Sequence, residues 1–324
     1  MTRIIDRETA GGLCGCLECI DMMREVQRLV SDGQCAMLER GLIPFSNGNS
    51  LAVMPAGMES FGITGAKLAI FAGPETKKKH TQQGIIPLFS TEDGSLAAIV
   101  EAEMITVLRT AAVSAMATDC LARKEAHTLC VIGAGRLAYM HILFISKIRS
   151  ITKVYLHARG MERARSLAER VCRELGIEAV VCREAAEAVK SADIVCTVTN
   201  AKEPVLQGEW LRPGTHVNAV GACKRTVREV DTGALKRCRV FVDSRKAALT
   251  DAGDILIPME KQELDDTVIS GEIGEVLAGE IPGRQSDEEM TLFESVGLPV
   301  QDLMMACRIY RKACENGSGV EVQL

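Results

Sequence analysis

The stretch Leu129-Cys130-Val131-Ile132-Gly133-Ala134-Gly135-Arg136-Leu137-Ala138 decides the fold of this chain. An apolar run feeds a Gly-x-Gly-x-x-Ala turn, and a helix-like segment follows. This is the strand–turn–helix pattern of a dinucleotide site. Gly133 permits the tight turn, Gly135 lets the backbone approach a pyrophosphate, and Ala138 lets the helix pack closely on the strand. The pyrophosphate would rest on the free N–H groups at the positive end of the helix dipole. A glycine-rich turn alone is a common feature, so the segments around it carry much of the argument.

Those segments repeat one theme. Apolar, β-branched runs recur at 129–132, 154–157, 179–182, 194–198, 216–220 and 240–243, with helical stretches such as 162–174 and 185–191 between them. Near-continuous apolar strands alternating with helices predict a parallel sheet covered on both faces, an α/β doubly wound domain of Rossmann type over residues 116–299. Gly176 is placed as a helix C-cap, and Pro213-Gly214 as a turn. Residues 1–115 read differently: an amphipathic helix over 10–31, then strands at 50–54, 67–71, 85–90 and 96–101, with Glu92-Asp93-Gly94 as a hairpin turn. A long helix over 103–123 leads into the nucleotide domain. A last helix, over 300–316, is expected to return to this first, α+β domain, giving it residues 1–115 with 300–324.

The second strand of the nucleotide domain ends Tyr155-Leu156-His157-Ala158-Arg159. A carboxylate there would bind an NAD ribose; instead Arg159 is available to a 2′-phosphate. The expected cofactor is therefore NADP(H) in preference to NAD(H). His157 reads as a packing residue. Thr197 and Thr199 close the fourth strand, where open α/β sheets bind ligands, although threonine is also simply a good strand residue.

Composition sets the class. The chain has 324 residues, 47% hydrophobic and 25% charged, enough for about two domains. Aromatic residues make up only 3% and the net charge is -5, which argues against base-stacking surfaces and polyanion partners; neither nucleic acid nor membrane is an expected partner. No apolar run reaches the roughly 18–20 residues needed to span a bilayer. The opening Met1-Thr2-Arg3-Ile4-Ile5-Asp6-Arg7-Glu8 lacks the apolar stretch of a signal peptide, and a cytoplasmic enzyme is the default expectation. The 13 cysteines are scattered through strands and helices, as buried thiols in a reducing compartment would be. Cys14, Cys16 and Cys19 have no matching pair at zinc spacing, and lie in a helical pattern of Leu13, Leu17, Ile20, Met23, Val26 and Val30, so no metal is expected. Lys77-Lys78-Lys79-His80 reads as an exposed loop, Asp287-Glu288-Glu289 as a solvated turn or helix start, and Glu272 with Glu275 as one face of a short helix.

With these residues placed, the chain resembles the ornithine cyclodeaminase/mu-crystallin family from about Gly33 to its end. The landmarks are Met54-Pro55-Ala56, Gly65-Ala66-Lys67, Arg109-Thr110-Ala111-Ala112 within residues 105–115, the 133–138 turn, Val217-Asn218-Ala219-Val220-Gly221-Ala222, Phe241-Val242-Asp243-Ser244-Arg245, and Thr291-Leu292-Phe293-Glu294-Ser295-Val296-Gly297-Leu298. The resemblance implies an NAD(P) domain joined to a domain that holds substrate and forms a homodimer. It places Arg40, Lys67 and Arg109 on the substrate carboxylate and reactive nitrogen, with Lys67, Arg109 and Cys223 as candidate catalytic residues. A small imino acid does need its carboxylate pinned by a cation. By the same resemblance Thr110, Gly133, Gly135, Arg136, Leu137, Arg159, Thr197, Thr199, Val220 and Gly297 line the cofactor.

One departure bears on the reaction. Relatives that deaminate ornithine carry an aspartate directly after the glycine-alanine matched by Gly221-Ala222; here Cys223 stands there. A thiol is a poor substitute for a carboxylate base at neutral pH. The expectation is an oxidoreductase of small imino or amino acids, delivering hydride to a C=N carbon in the manner of the ketimine reductases. The alternatives are ornithine cyclodeamination with bound NAD, an alanine-dehydrogenase-like activity, and a crystallin-like NADPH-binding protein without turnover. Glu294 also departs, standing where the family more often has lysine.

Overall fold

The structure is a computed structural model and describes residues 1–73 and 82–324. Lys77-Lys78-Lys79-His80 lies outside the described residues. In chain order the strands are β1 (Thr2–Ile5), β2 (Ala36–Met37), β3 (Gly41–Pro44), β4 (Ser50–Met58), β5 (Ile63–Phe71), β6 (Gln82–Ser90), β7 (Leu96–Glu101), β8 (Thr128–Ile132), β9 (Lys153–His157), β10 (Glu178–Val181), β11 (Ile194–Thr197), β12 (His216–Ala219), β13 (Arg239–Val242), β14 (Ile269–Glu272), β15 (Thr291–Glu294) and β16 (Val320–Val322). The chain divides into two compact units, Met1–Arg109 with Leu298–Leu324, and Thr110–Gly297. The first boundary falls inside the helix Ala102–Leu121, the second at the turn after Gly297.

The first unit is built on one sheet of order β16-β1-β7-β6-β5-β4-β2, with β3 also paired to β4. Its centre is the antiparallel run β4-β5-β6-β7. Strand β4 alternates in burial: Ala52, Met54, Ala56 and Met58 face the core while their neighbours are partly exposed. That is the period-2 pattern of a sheet with one covered face. The hairpin between β6 and β7 turns at Gly94, whose φ of 73° falls in the left-handed region. The helix Pro299–Asn316 packs on β4, β5 and β6. Gly65 on β5 permits close approach there: a Cβ would meet the Pro87 carbonyl oxygen at 2.3 Å and the Leu303 side chain at 3.1 Å.

The single amphipathic helix expected over 10–31 is two helices, Arg7–Gly12 and Cys16–Ser31. Asp6 caps the first by accepting from the Thr9 N–H, while Gly12 ends it and Gly15 stands as N-cap of the second. Glycine is a poor interior helix residue, and the periodicity runs across the break without revealing it. Leu17, counted in the apolar stripe, is exposed, whereas Cys19, Ile20, Met22, Met23 and Val26 form the buried face.

The second unit holds an all-parallel sheet of order β10-β9-β8-β11-β12-β15-β13-β14. Every residue of β11, β12 and β15 is buried, as a sheet covered on both faces requires. The direction of winding reverses at β8, which pairs with β9 on one side and β11 on the other. Gly176 ends the helix Met161–Leu175 at φ 68°, and Gly214 occupies its turn at φ 82°. Two strands of this sheet, β14 and β15, escape the pattern of apolar runs. β15 is four residues ending in a carboxylic acid, and β14 contains Gly271. Yet β15 lies between β12 and β13, in the middle of the half of the sheet that follows β8.

The helix Ala102–Leu121 has the length and composition of a membrane span, which the count of uninterrupted apolar residues misses, and it is largely buried inside the protein. A core helix passes the same test. Among the described residues no cluster of His, Cys, Asp or Glu is arranged to hold a metal ion. All 13 cysteines lie among the described residues, and no disulfide joins any of them.

Candidate active site

Lys67 sits on β5, paired with Met54 of β4, at an inward position shared with Ile63, Gly65 and Ala69. Only 4% of it is exposed. Its Nζ donates to Asp302 Oδ1 at 3.0 Å, and Arg109 Nε reaches the same oxygen at 3.3 Å. Arg109 Nη1 also donates to Gln301 Oε1 at 3.2 Å, and that oxygen accepts the Leu298 N–H. The first turn of Pro299–Asn316 therefore orients both cations. Asp302 is fully buried, and its Oδ2 has no hydrogen-bond partner.

Burial pushes the Lys67 ammonium down to about 8. Asp302 pulls it back up, while Arg109 and Arg40 push it further down, so Arg40 acts on the same site. Burial raises Asp302, but the Lys67 and Arg109 charges outweigh it and hold the carboxyl below its usual range. The arrangement is one carboxylate between cations in a dry place, with Lys67 set near neutrality. A lysine poised there can hold or release a proton, and its partners can fix an anion.

Asp302 is absent from the residues anticipated by sequence. Its signal is ambiguous: an acidic residue in a first helical turn, behind Pro299 at the helix start, reads as a complement to the helix dipole.

In the second unit the glycine turn has the geometry a dinucleotide requires. Gly133 has φ 127°, and its N–H donates to the His157 carbonyl. A Cβ on Gly133 would come within 2.8 Å of the Val198 oxygen, so no larger residue fits. Gly135 is the N-cap of the helix Arg136–Ile145, and no side chain caps that end. A Cβ added at Gly135 meets nothing within 4 Å. Ala138 is buried against the sheet. An uncapped helix N-terminus behind an open glycine fits a pyrophosphate.

The other expected cofactor residues gather at the C-terminal ends of neighbouring strands. Thr197 ends β11, Val220 follows β12, and Gly297 follows β15 at φ 80° with its N–H on Asp243 Oδ2 at 2.7 Å. Arg136 and Leu137 open the helix after the glycines. Arg159 is exposed just beyond β9, and His157 packs its Nδ1 on the Cys182 carbonyl at 3.3 Å. Thr110 differs in its setting, since it lies buried on a helix and not at a strand end. Cys223 is half-buried.

Glu229 is a second residue not anticipated. Its Oε1 accepts the Thr199 N–H and its Oε2 the Gly221 N–H, both at 2.6 Å. One buried carboxylate thus ties together the turns that leave β11 and β12. Nothing local in Arg228-Glu229-Val230 marks it.

A parallel sheet with this turn, and a buried lysine–arginine–aspartate group, is a combination that comparison with known proteins resolves. The ornithine cyclodeaminase/mu-crystallin family model matches residues 4–317.

The chain belongs to this family.

It is 38% identical over 288 residues to a Delta(1)-pyrroline-2-carboxylate reductase of Bacillus cereus, covering 88% of each chain. It is 37% identical over 281 residues to the ketimine reductase mu-crystallin of Mus musculus, covering 86% of each. Among solved structures, the Thermococcus litoralis Delta(1)-pyrroline-2-carboxylate reductase, in complex with NADH and L-proline, superposes with a TM-score of 0.96 at 32% identity, covering 99% of this chain and all of the other. Membership makes this chain an NAD(P)-dependent oxidoreductase of small imino or amino acids.

Proposed function

We propose that the chain reduces a small cyclic 2-imino acid of the pyrroline-2-carboxylate class, with NADPH preferred to NADH. The observation that carries this reading is the buried group Lys67, Arg109 and Asp302. Arg109, with Arg40, binds the substrate carboxylate as a charge-assisted pair, because a fixed guanidinium presents parallel donors to two oxygens. Lys67 hydrogen-bonds beside the C=N bond and keeps the nitrogen protonated while its carbon accepts hydride. Its lowered basicity suits that task, since a proton held near pH 8 is exchangeable under working conditions. Asp302 fixes the lysine and keeps the cations from repelling one another. When bound on the 133–138 turn, the dinucleotide supplies the hydride, and the protein supplies position and field.

Preference for NADPH rests on Arg159, exposed just beyond β9 in a segment, Ala158-Arg159-Gly160, that has no carboxylate to bind a ribose hydroxyl. Cys223, after Gly221-Ala222, weighs against ornithine cyclisation, which needs a carboxylate base in that place. In this reading the first unit also forms a homodimer in the cytoplasm: Leu42, Ile43 and Phe45, on or beside β3, are exposed apolar side chains clustered at one edge of its sheet.

The test is consumption of NADPH and NADH by purified protein with pyrroline-2-carboxylate, piperideine-2-carboxylate, keto acids with amines, and ornithine. The expected result is rapid turnover of a cyclic imine with NADPH. Ammonia release from ornithine without net cofactor consumption would overturn the reading.

A further inference from the structure

Four buried carboxyl groups converge where β12, β13 and β15 end. Three are tied down by backbone N–H groups. Glu229 holds Thr199 and Gly221; Asp254 Oδ1 accepts the Glu229 and Val230 N–H groups at 2.7 and 2.8 Å; Asp243 accepts from Ser244 and Gly297. The fourth, Glu294, ends β15 opposite Ala219 and Val242, and is 1% exposed. Neither of its carboxyl oxygens has a hydrogen-bond partner, and Asp254 Oδ2 is likewise unpartnered.

A bare carboxylate in that setting is untenable. It would be buried without donors, and three further acids, Asp254, Glu229 and Asp243, bear on it together with the Cys223 thiol. Arg228 acts on Asp254 from this side, but spends its Nε and Nη2 on the Val230 carbonyl and Thr232 Oγ1. A proton removes the conflict, since a protonated carboxyl becomes a donor and a neighbouring carboxyl oxygen is the natural acceptor.

We propose that Glu294 is a positioning residue held as a neutral acid, donating its proton toward Asp254, and that this keeps the Glu229 brace on Gly221 and Thr199 in the geometry that binds the dinucleotide. Burial, with Asp254 next, drives Glu294 well above the ordinary carboxyl range, and burial raises Asp254 too. Ionisation of Glu294 would add a charge beside Glu229 and strain the two turns that Glu229 holds. Adding negative charge below an anionic ligand weakens its binding as well. The inference rests on the dinucleotide occupying this end of the sheet.

Two measurements on the full chain separate the inference from that premise. The first is the infrared carbonyl band of a protonated carboxylic acid, followed as pH rises from neutral to alkaline. It is expected in the wild type, lost on titration, and reduced in Glu294→Gln. Absence of any such band in the wild type at neutral pH, or an unchanged band in Glu294→Gln, overturns the proposal without reference to the cofactor. The second is NADPH affinity by fluorescence over the same range. Wild-type affinity should fall by up to about tenfold per pH unit above the titration, the slope for one linked proton. Glu294→Gln should match the wild type at neutral pH and lose the alkaline fall. A fall unchanged in Glu294→Gln but abolished by Asp254→Asn would assign the proton to Asp254 and overturn the role given to Glu294.

Discussion

Lys67 Nζ lies 3.0 Å from Asp302 Oδ1, joining an inward position of a sheet strand to the first turn of a helix 235 residues later in the chain. Arg109 shares that oxygen. A buried cation pair around one carboxylate costs a great deal to assemble and is a weak source of stability, because desolvation offsets the attraction. Its retention here is better explained by what it does. It holds a lysine dry, oriented and close to neutral.

Lys67→Met should lower kcat/KM for a cyclic imine by about 10²–10⁴-fold, the range for losing a positioned acid–base group, while NADPH affinity stays near wild type. Steady-state kinetics beside a cofactor titration would check it. Full turnover in the variant would refute the role given to the lysine.

The pH profile should mirror the same group. With Lys67 at about 8, kcat/KM is expected to fall as pH rises through that value. Stability should move the other way. Because the folded state gives up this proton before the unfolded chain does, at its ordinary 10.5, deprotonation between about 8 and 10.5 favours the fold. Activity lost over a range where this group adds no unfolding would separate titration from denaturation.

Asp302→Ala should be the most damaging single change in the site. It leaves two buried cations uncompensated, and breaking a buried pair in this way costs about 3–5 kcal/mol. Chemical denaturation would read the loss. Asp302→Asn keeps an acceptor for Lys67 and is expected to cost less stability than alanine.

Arg159→Ser should raise the KM for NADPH by about tenfold, equivalent to about 1.4 kcal/mol, and leave NADH almost unaffected. Equal loss for both cofactors would remove Arg159 from the 2′-phosphate.

Two buried histidines of the second unit should each contribute less stability as pH falls. Burial pushes His141 down to about 4 and His216 to about 3, so both are neutral in the fold. The unfolded chain binds their protons from about 6.5 downward, so their joint contribution to stability falls below that value, by up to about 2.7 kcal/mol per pH unit for two protons, while the buried acids Glu294 and Asp254, protonated in the fold, act in the opposite sense. Unfolding midpoints of wild type and His141→Gln, compared from pH 7 to 4.5, would isolate one contribution: the variant should gain stability relative to the wild type as pH falls.

Much of this molecule can be read from its letters, for identifiable reasons. The glycine turn is legible because Gly133 is required by its own backbone angle and by the nearness of Val198, constraints met within a few residues and by one adjoining strand. Six of the eight parallel strands are legible because burial on both faces demands unbroken apolar runs. Lys67 and Arg109 were recognisable from motifs that match the family, not from their charge, which looks the same on a solvated surface. Leu17 and the break at residues 13–15 misled because a helical period continues across a glycine interruption.

What the sequence determined alone is local: the dinucleotide turn, the alternation of strand and helix, and the residue types available for chemistry. Tertiary structure decided which charges meet. Asp302 became the partner of Lys67, Glu229 became the brace for two strand ends, and Glu294 was set among three other acids in the middle of a sheet half. Each of these depends on contacts between segments far apart in the chain or on strand order. Burial then changes the chemistry, since a carboxyl or ammonium group acquires its working proton affinity only after water has been removed and its neighbours are fixed.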